Sequence, residues 1–415
     1  ADYYTRALIR DQGNPVIIES ALNSFVGLGD IDRAYPLARR LQEGGIDSML
    51  ANIVVHGRDA RDGDWDAFLD GLDIGLAGGP LVDGLVVACA ELGGGRMSDA
   101  LAGFDAVIET TGVSAFGTYH KALALASVGD FEGAAAIFDG DTGATIRLTR
   151  SGAMAYAQIL SQLERRDDAL GHLSETFGAT PDPVVRDMIA QLEAGDALAF
   201  NIAQSASDGV AEVYRSIAGA LLGEAQDNLT LIYARMALAL RPGDIETVLM
   251  TAGILERLER YDLATKVYDT VPRSSPAFYD AELGRANALR RSNRTDAAIE
   301  VLRQLSEDNG DLIDVHVALG DTLRELERYE EAIPAYDRAV TVVANPEEQH
   351  WILFFARAIA HDRLGQWPEA EADFRMSLEL RPEQPQVLNY LGYSFLEKQT
   401  NLDEALDMIE RAAAL

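Results

Sequence analysis

The strongest constraint on this chain is a small residue that returns about every 34 positions, close to an aromatic that returns with it. The small residue is Ala34, Ala100, Ala134, Ala169, Ala264, Ala298, Ala332, Ala370 and Ala405. The steps 100 to 134, 264 to 298 and 298 to 332 are each 34, and 34 to 100 is 66, about two repeats, with Phe68 between them. The aromatic is Trp65, Phe131, Tyr261, Tyr329 and Trp367. A single globular core has no reason to repeat in this way. A stack of identical two-helix units does, because each unit must offer the same small surface to its neighbour.

The clearest unit runs from Val315 to Ala339 and predicts helix, tight turn, helix. Leu319, Leu323, Leu326 and Tyr336 recur at helical spacing, with Gly320 and Ala332 where two helices must touch. Turn signals separate the helices at Gly29-Asp30, Gly63-Asp64, Gly129-Asp130, Arg241-Pro242-Gly243-Asp244 and Arg381-Pro382-Glu383. The step from 332 to 370 is 38, which places an insertion near residues 344–348.

This spacing, with its residue sizes and turn chemistry, resembles the tetratricopeptide repeat (TPR). The expected fold is all-α, a TPR superhelical solenoid of roughly twelve antiparallel helix pairs whose first helices line a concave wall. Residues 1–180 read as degenerate, glycine-rich repeats, residues 181–207 as an irregular helical connector, and residues 208–415 as near-consensus repeats. The chain opens on what reads as a second helix without its first. It closes on an amphipathic helix bearing Leu402, Leu406 and Ile409. One or both ends read as continuing further in the natural protein, self-association through the trimmed apolar ends is one partner mode they allow, and dimerisation confined to the trimmed form would be an artefact of the cut.

The register places Arg215, Asn287, Arg290, Asp321, Arg324, Phe355, Asn389 and Tyr393 on the wall. A polar and aromatic row of this kind suits a protein or an extended peptide as partner. The clamp that some TPR domains use for a C-terminal carboxylate is not met: Asn287 fits one position, but Leu283 stands where a Lys is needed.

The sequence carries 67 acidic against 35 basic residues, a formal charge of −32. Nucleic acid and anionic membranes both need a positive footprint, so neither is an expected partner. No apolar run reaches the length of a membrane span. No phosphate-cradling glycine loop, HExxH, paired CxxC or GxSxG is present, and Gly93-Gly94-Gly95 reads as a turn. The chain is therefore read as non-enzymatic, without cofactor or metal. His350 and His361 are too far apart on one helix to share an ion, and His361 is expected to pack in the core. The single cysteine, Cys89, permits no intrachain disulfide and reads as a packing residue.

A narrower resemblance rests on Asn389-Tyr390-Leu391-Gly392-Tyr393-Ser394, on residues 401–409 and on residues 231–238. These are similar to exported bacterial TPR proteins, among them an outer-membrane lipoprotein adaptor of a periplasmic carboxy-terminal processing protease. That resemblance implies a periplasmic or outer-membrane-associated scaffold that presents substrates to a protease. The alternatives are a scaffold for envelope or polysaccharide assembly, the repeat region of a larger enzyme whose catalytic domain lies elsewhere, and a cytoplasmic location.

Overall fold

The computed structural model describes all residues except 1, 12, 72–77, 141–148, 179–180, 225, 309 and 311. The described residues form twenty-four α-helices, joined by turns and one short 3-10 segment at Glu348–His350. Two compact units are present, Ala1–Phe278 and Tyr279–Leu415. The expected edge of the degenerate repeats, residue 180, lies outside the described residues.

In the first unit α1 (Asp2–Arg10) precedes five pairs. These are α2 (Pro15–Leu28) with α3 (Ile31–Glu43), α4 (Met49–Asp62) with α5 (Trp65–Asp70), and α6 (Pro80–Gly93) with α7 (Met97–Ile108). Next come α8 (Ser114–Ser127) with α9 (Phe131–Phe138), and α10 (Arg150–Gln162) with α11 (Arg166–Phe177). The single helix α12 (Pro183–Ala194) and an irregular stretch lead to α13 (Ala206–Leu221) with α14 (Asp227–Leu240), then α15 (Ile245–Arg257) with α16 (Tyr261–Tyr268). The second unit holds α17 (Phe278–Arg291) with α18 (Thr295–Asp308), and α19 (Ile313–Glu325) with α20 (Tyr329–Val343). It ends with α21 (Trp351–Arg363) paired to α22 (Trp367–Leu380), and α23 (Pro385–Lys398) paired to α24 (Leu402–Ala414).

The repeating alanine is the pivot of each pair. All nine alanines of the sequence pattern are fully buried. The aromatic marks the start of a second helix: Trp65, Phe131, Tyr261, Tyr329 and Trp367 are the first residues of α5, α9, α16, α20 and α22. The turn between the helices is equally regular. Its last position is left-handed at Gly63, Gly129, Glu259, Asn293, Glu327 and Gly365. Glycine meets that demand without steric cost, whereas the other residues carry a Cβ into it. In the first unit Asp30, Asp64 and Asp130 follow as N-caps, accepting hydrogen bonds from the backbone N–H of Arg33, Ala67 and Gly133. The extra residues near 344–348 are absorbed by the 3-10 segment and by Ala344, which is itself left-handed.

Helix α13 gives the first unit its particular packing. It lies against α4, α6 and α8, while α14 lies against α2 and α4. Helices α2, α4, α6 and α8 thus meet α13 or α14, and α10 is met by the stretch holding Leu198 and Asn201. Their composition reflects it. Residues 50–57 of α4 and 151–155 with 157–161 of α10 are buried without a solvent face, as a helix covered on all sides requires. Small residues permit the approach: Gly209 of α13 sits over Cys89 of α6, and Gly57 of α4 sits under Met236 of α14.

Candidate functional site: the first-helix face of residues 279–415

Seven of the eight sequence-derived candidates lie on consecutive first helices of the second unit. Asn287 and Arg290 stand on α17, Asp321 and Arg324 on α19, Phe355 on α21, and Asn389 and Tyr393 on α23. Asn287, Asn389 and Tyr393 are exposed, and the other four are half-buried.

The half-buried members are held in place by one another. The Tyr336 hydroxyl of α20 donates to Asp321 Oδ1 at 2.7 Å, and Arg324 Nε donates to the same hydroxyl oxygen at 3.2 Å. Arg324 Nη2 reaches Asp321 Oδ1 at 3.4 Å. Burial works against the Arg324 charge, but Tyr336 and Asp321 outweigh it and raise its pKa. On α17, Arg290 donates to Asn287 Oδ1 at 3.1 Å and forms an ion pair with Glu325 of α19. These contacts tie adjacent first helices together and fix which donors point outward.

Towards α23 the face becomes aromatic. Phe355 lies within about 6 Å of the ring centres of Trp351, Phe374 and Tyr390. Tyr390 reaches back to Asp362 of α21, and Lys398 pairs with the same carboxylate at 3.1 Å. Beside this cluster Ile352, Tyr393 and Leu396 are exposed. The sequence reading missed Ile352 and Leu396. Their signal is an apolar residue at a first-helix position that core packing does not require.

Arg215 is elsewhere. It lies on α13 in the first unit, is buried, and forms an ion pair with Glu212 through two hydrogen bonds. Tyr119 of α8 donates to the same carboxylate at 2.7 Å. Burial alone would raise the Glu212 pKa, but the Arg215 guanidinium and its neighbours hold it below the usual range. Arg215 is thus an internal fastener and offers nothing to solvent. The repeat register assigned it to a wall, but in this unit the helix bearing it covers the wall.

His361 is only half-buried, near the C-terminal end of α21, and its Nδ1 faces Gln366 Oε1 at 2.7 Å across the following turn, so it is not a core residue. Cys89 is buried, and burial pushes its thiol up to about 12, which fits a packing role. Among the described residues no helix is long and apolar enough to cross a membrane.

The paired helices and their pivots define a helical-repeat protein of the tetratricopeptide class in its C-terminal part. Models of the tetratricopeptide repeat match at residues 311–383 and at residues 249–312 and 355–415. Those stretches include every first helix of the candidate face. Among solved structures, the chain is similar to a crystal structure of MamA at 16% identity, covering 39% of this chain and 92% of that one, with a TM-score of 0.35. It is also similar to MamA from Desulfovibrio magneticus RS-1 at 21% identity, covering 42% and 96%, with a TM-score of 0.37. No curated protein matches the chain.

Proposed function

We propose that this chain is a non-catalytic protein-interaction scaffold that receives a protein or an extended peptide on the first-helix face of residues 279–415. The supporting observation is the contrast between the two units. In the first, the equivalent face is covered by α13 and α14. In the second, consecutive first helices present amide, guanidinium and aromatic groups, with exposed Ile352, Tyr393 and Leu396 between them. Such a face offers apolar anchors beside oriented donors, the pattern by which peptides are gripped.

The finer reading is an exported adaptor, periplasmic or outer-membrane associated, that presents substrates to a cell-envelope processing protease. It rests on the C-terminal resemblance at residues 389–394 and 401–409. Affinity capture from a cell-envelope extract, with crosslinking and mass spectrometry, tests it. The adaptor reading expects a processing protease among the captured proteins, lost with the double variant Arg324→Glu, Tyr393→Ala. Capture of envelope-assembly proteins in its place would remove the protease role and leave the scaffold.

A further inference from the structure

The first unit contains an open pocket of about 390 Å³ at the C-terminal end of α2, walled by α1, α2, α14 and α16. Its chemistry departs from that of the rest of the molecule. The chain carries 67 acids, yet no carboxylate lines this pocket among the described residues. Ser20, Asn23, Ser24 and Gly27 of α2 contribute, with Asn228 of α14 and Arg260 at the start of α16. Positions 20, 23, 24 and 27 share one helix face. The opposite face of α2 is spent on the core through Ile18, Ala21, Leu22 and Phe25.

Two guanidinium groups converge on Gly27. Arg260 is exposed, donates to Asn228 Oδ1 at 3.2 Å, and has a terminal nitrogen 3.1 Å from the point where a Cβ on Gly27 would sit. Arg235 approaches from behind the wall. It is only 5% exposed and donates to the Gly27 carbonyl at 3.3 Å, while its Nε has no hydrogen-bond partner. Among the described residues neither arginine meets a carboxylate within ion-pair distance. Burial, then the neighbouring Arg260, pulls the Arg235 pKa down to about 10. The carbonyls ending α2 offset part of this charge, but one carbonyl does not neutralise two guanidinium groups, and buried unpaired charge is costly.

We propose that this pocket binds a small oxyanion, a carboxylate or phosphate group. Arg260 and Asn228 are its direct contacts, the hydroxyls of Ser20 and Ser24 are further donors, and Arg235 supplies positive potential through the wall. An anion here would receive charge-assisted hydrogen bonds from a planar fork. The chain as a whole carries a net charge of −32, so a pocket with two arginines beside it and, among the described residues, no carboxylate is an uncommon place for an anion on it.

The test is isothermal titration of the full chain with inorganic phosphate and, separately, with succinate, at low ionic strength. The expected result is saturable binding of at least one in the millimolar range or tighter. Arg260→Ala should weaken it by about tenfold or more, as loss of a charge-assisted contact predicts. Arg33→Ala, which removes an exposed arginine paired with Asp30 in the same unit, should leave it unchanged. Phosphate alone binding would mark a phosphorylated ligand, and succinate alone an organic acid or peptide terminus. Saturation by neither anion overturns the proposal. So does equal affinity in Arg260→Ala, whose circular-dichroism melt should match the parent because the side chain is exposed.

Discussion

The Tyr336 ring lies directly against Gly320, so that a methyl group placed on that glycine would come within 2.5 Å of the ring carbon Cε1. Tyr336 is fully buried, and Gly320 lies on the facing first helix. The ring cannot retreat, because its hydroxyl is tied to Asp321. Gly320→Ala should therefore lose stability despite the better helix propensity of alanine, by about 1–3 kcal/mol for overpacking. Ala332→Asp, at the pivot of the same pair, should cost more, roughly 3–5 kcal/mol, because it buries a charge without a partner. Urea unfolding followed by circular dichroism reads both. Unchanged midpoints would show that the pair is not packed in this register.

Glu212 ties α13 to α8 by accepting from the Tyr119 hydroxyl, and Arg215, three residues further along α13, neutralises that carboxylate and reaches Glu246 of α15 at 3.7 Å. Arg215→Ala should destabilise the first unit by roughly 3–5 kcal/mol, since it strands a buried carboxylate. By comparison Arg411→Ala, which removes an exposed partner of Asp407, should change stability by no more than about 0.5 kcal/mol. Thermal melts of the two variants separate an internal fastener from a surface pair. Equal, small effects would mean that α13 is held by apolar contacts alone.

Acid should loosen the first unit through His120. Burial depresses its pKa from 6.5 to about 4, with Glu212 and Arg215 as opposing lesser influences, and its Nε2 lacks a hydrogen-bond partner. Between those two values the unfolded chain binds a proton that the folded protein refuses. The His120 contribution is thus complete above 6.5 and lost as pH falls towards 4, at up to about 1.4 kcal/mol per pH unit. Asp59 acts in the opposite sense: burial raises its carboxyl to about 6, so the folded protein holds that proton first. The readout is accordingly the difference between the parent and His120→Phe, whose stability profile should be flatter across this window. Parallel profiles would contradict the assignment.

Cys89 should be inert while the first unit is folded. Its thiol is buried under Gly209 and pushed up to about 12. A disulfide reagent at pH 8 should label it far more slowly than the unfolded chain in guanidinium, where the thiol regains ordinary reactivity. Rapid native labelling would show that α13 leaves α6 readily.

The helix pairs were legible in the sequence because their determinants are local. Ala332 and Gly320 must be small wherever the two helices cross, and Tyr329 begins its helix whichever surface the repeat presents. Asn287, Arg324 and Tyr393 stand on the first helices α17, α19 and α23. The repeat register misplaced Arg215, because periodicity tells which face of a helix leaves its own pair and not what then covers that face. The covering of α4 and α10 is a contact between residues far apart in sequence. A trace of it was present in the run Leu50–Gly57, which holds no Asp, Glu, Lys or Arg, whereas a half-exposed helix would have carried charges there. Glu212, three residues before Arg215 on the same helix, was a second trace. The pocket beside Gly27 left no local pattern at all, since Asn23 and Arg260 meet only through the packing of α2 on α14.

The most direct test of the scaffold account is site-specific photo-crosslinking in living cells. A photoreactive phenylalanine analogue would replace Asn287, Asn389 or Tyr393 on the first-helix face, and Asp407 or Glu410 on α24 as a comparison. The account predicts crosslinks from the three first-helix positions to one common protein, abolished by Arg324→Glu, and few from α24. Crosslinks that arise equally from both sets, or from α24 alone, would contradict it.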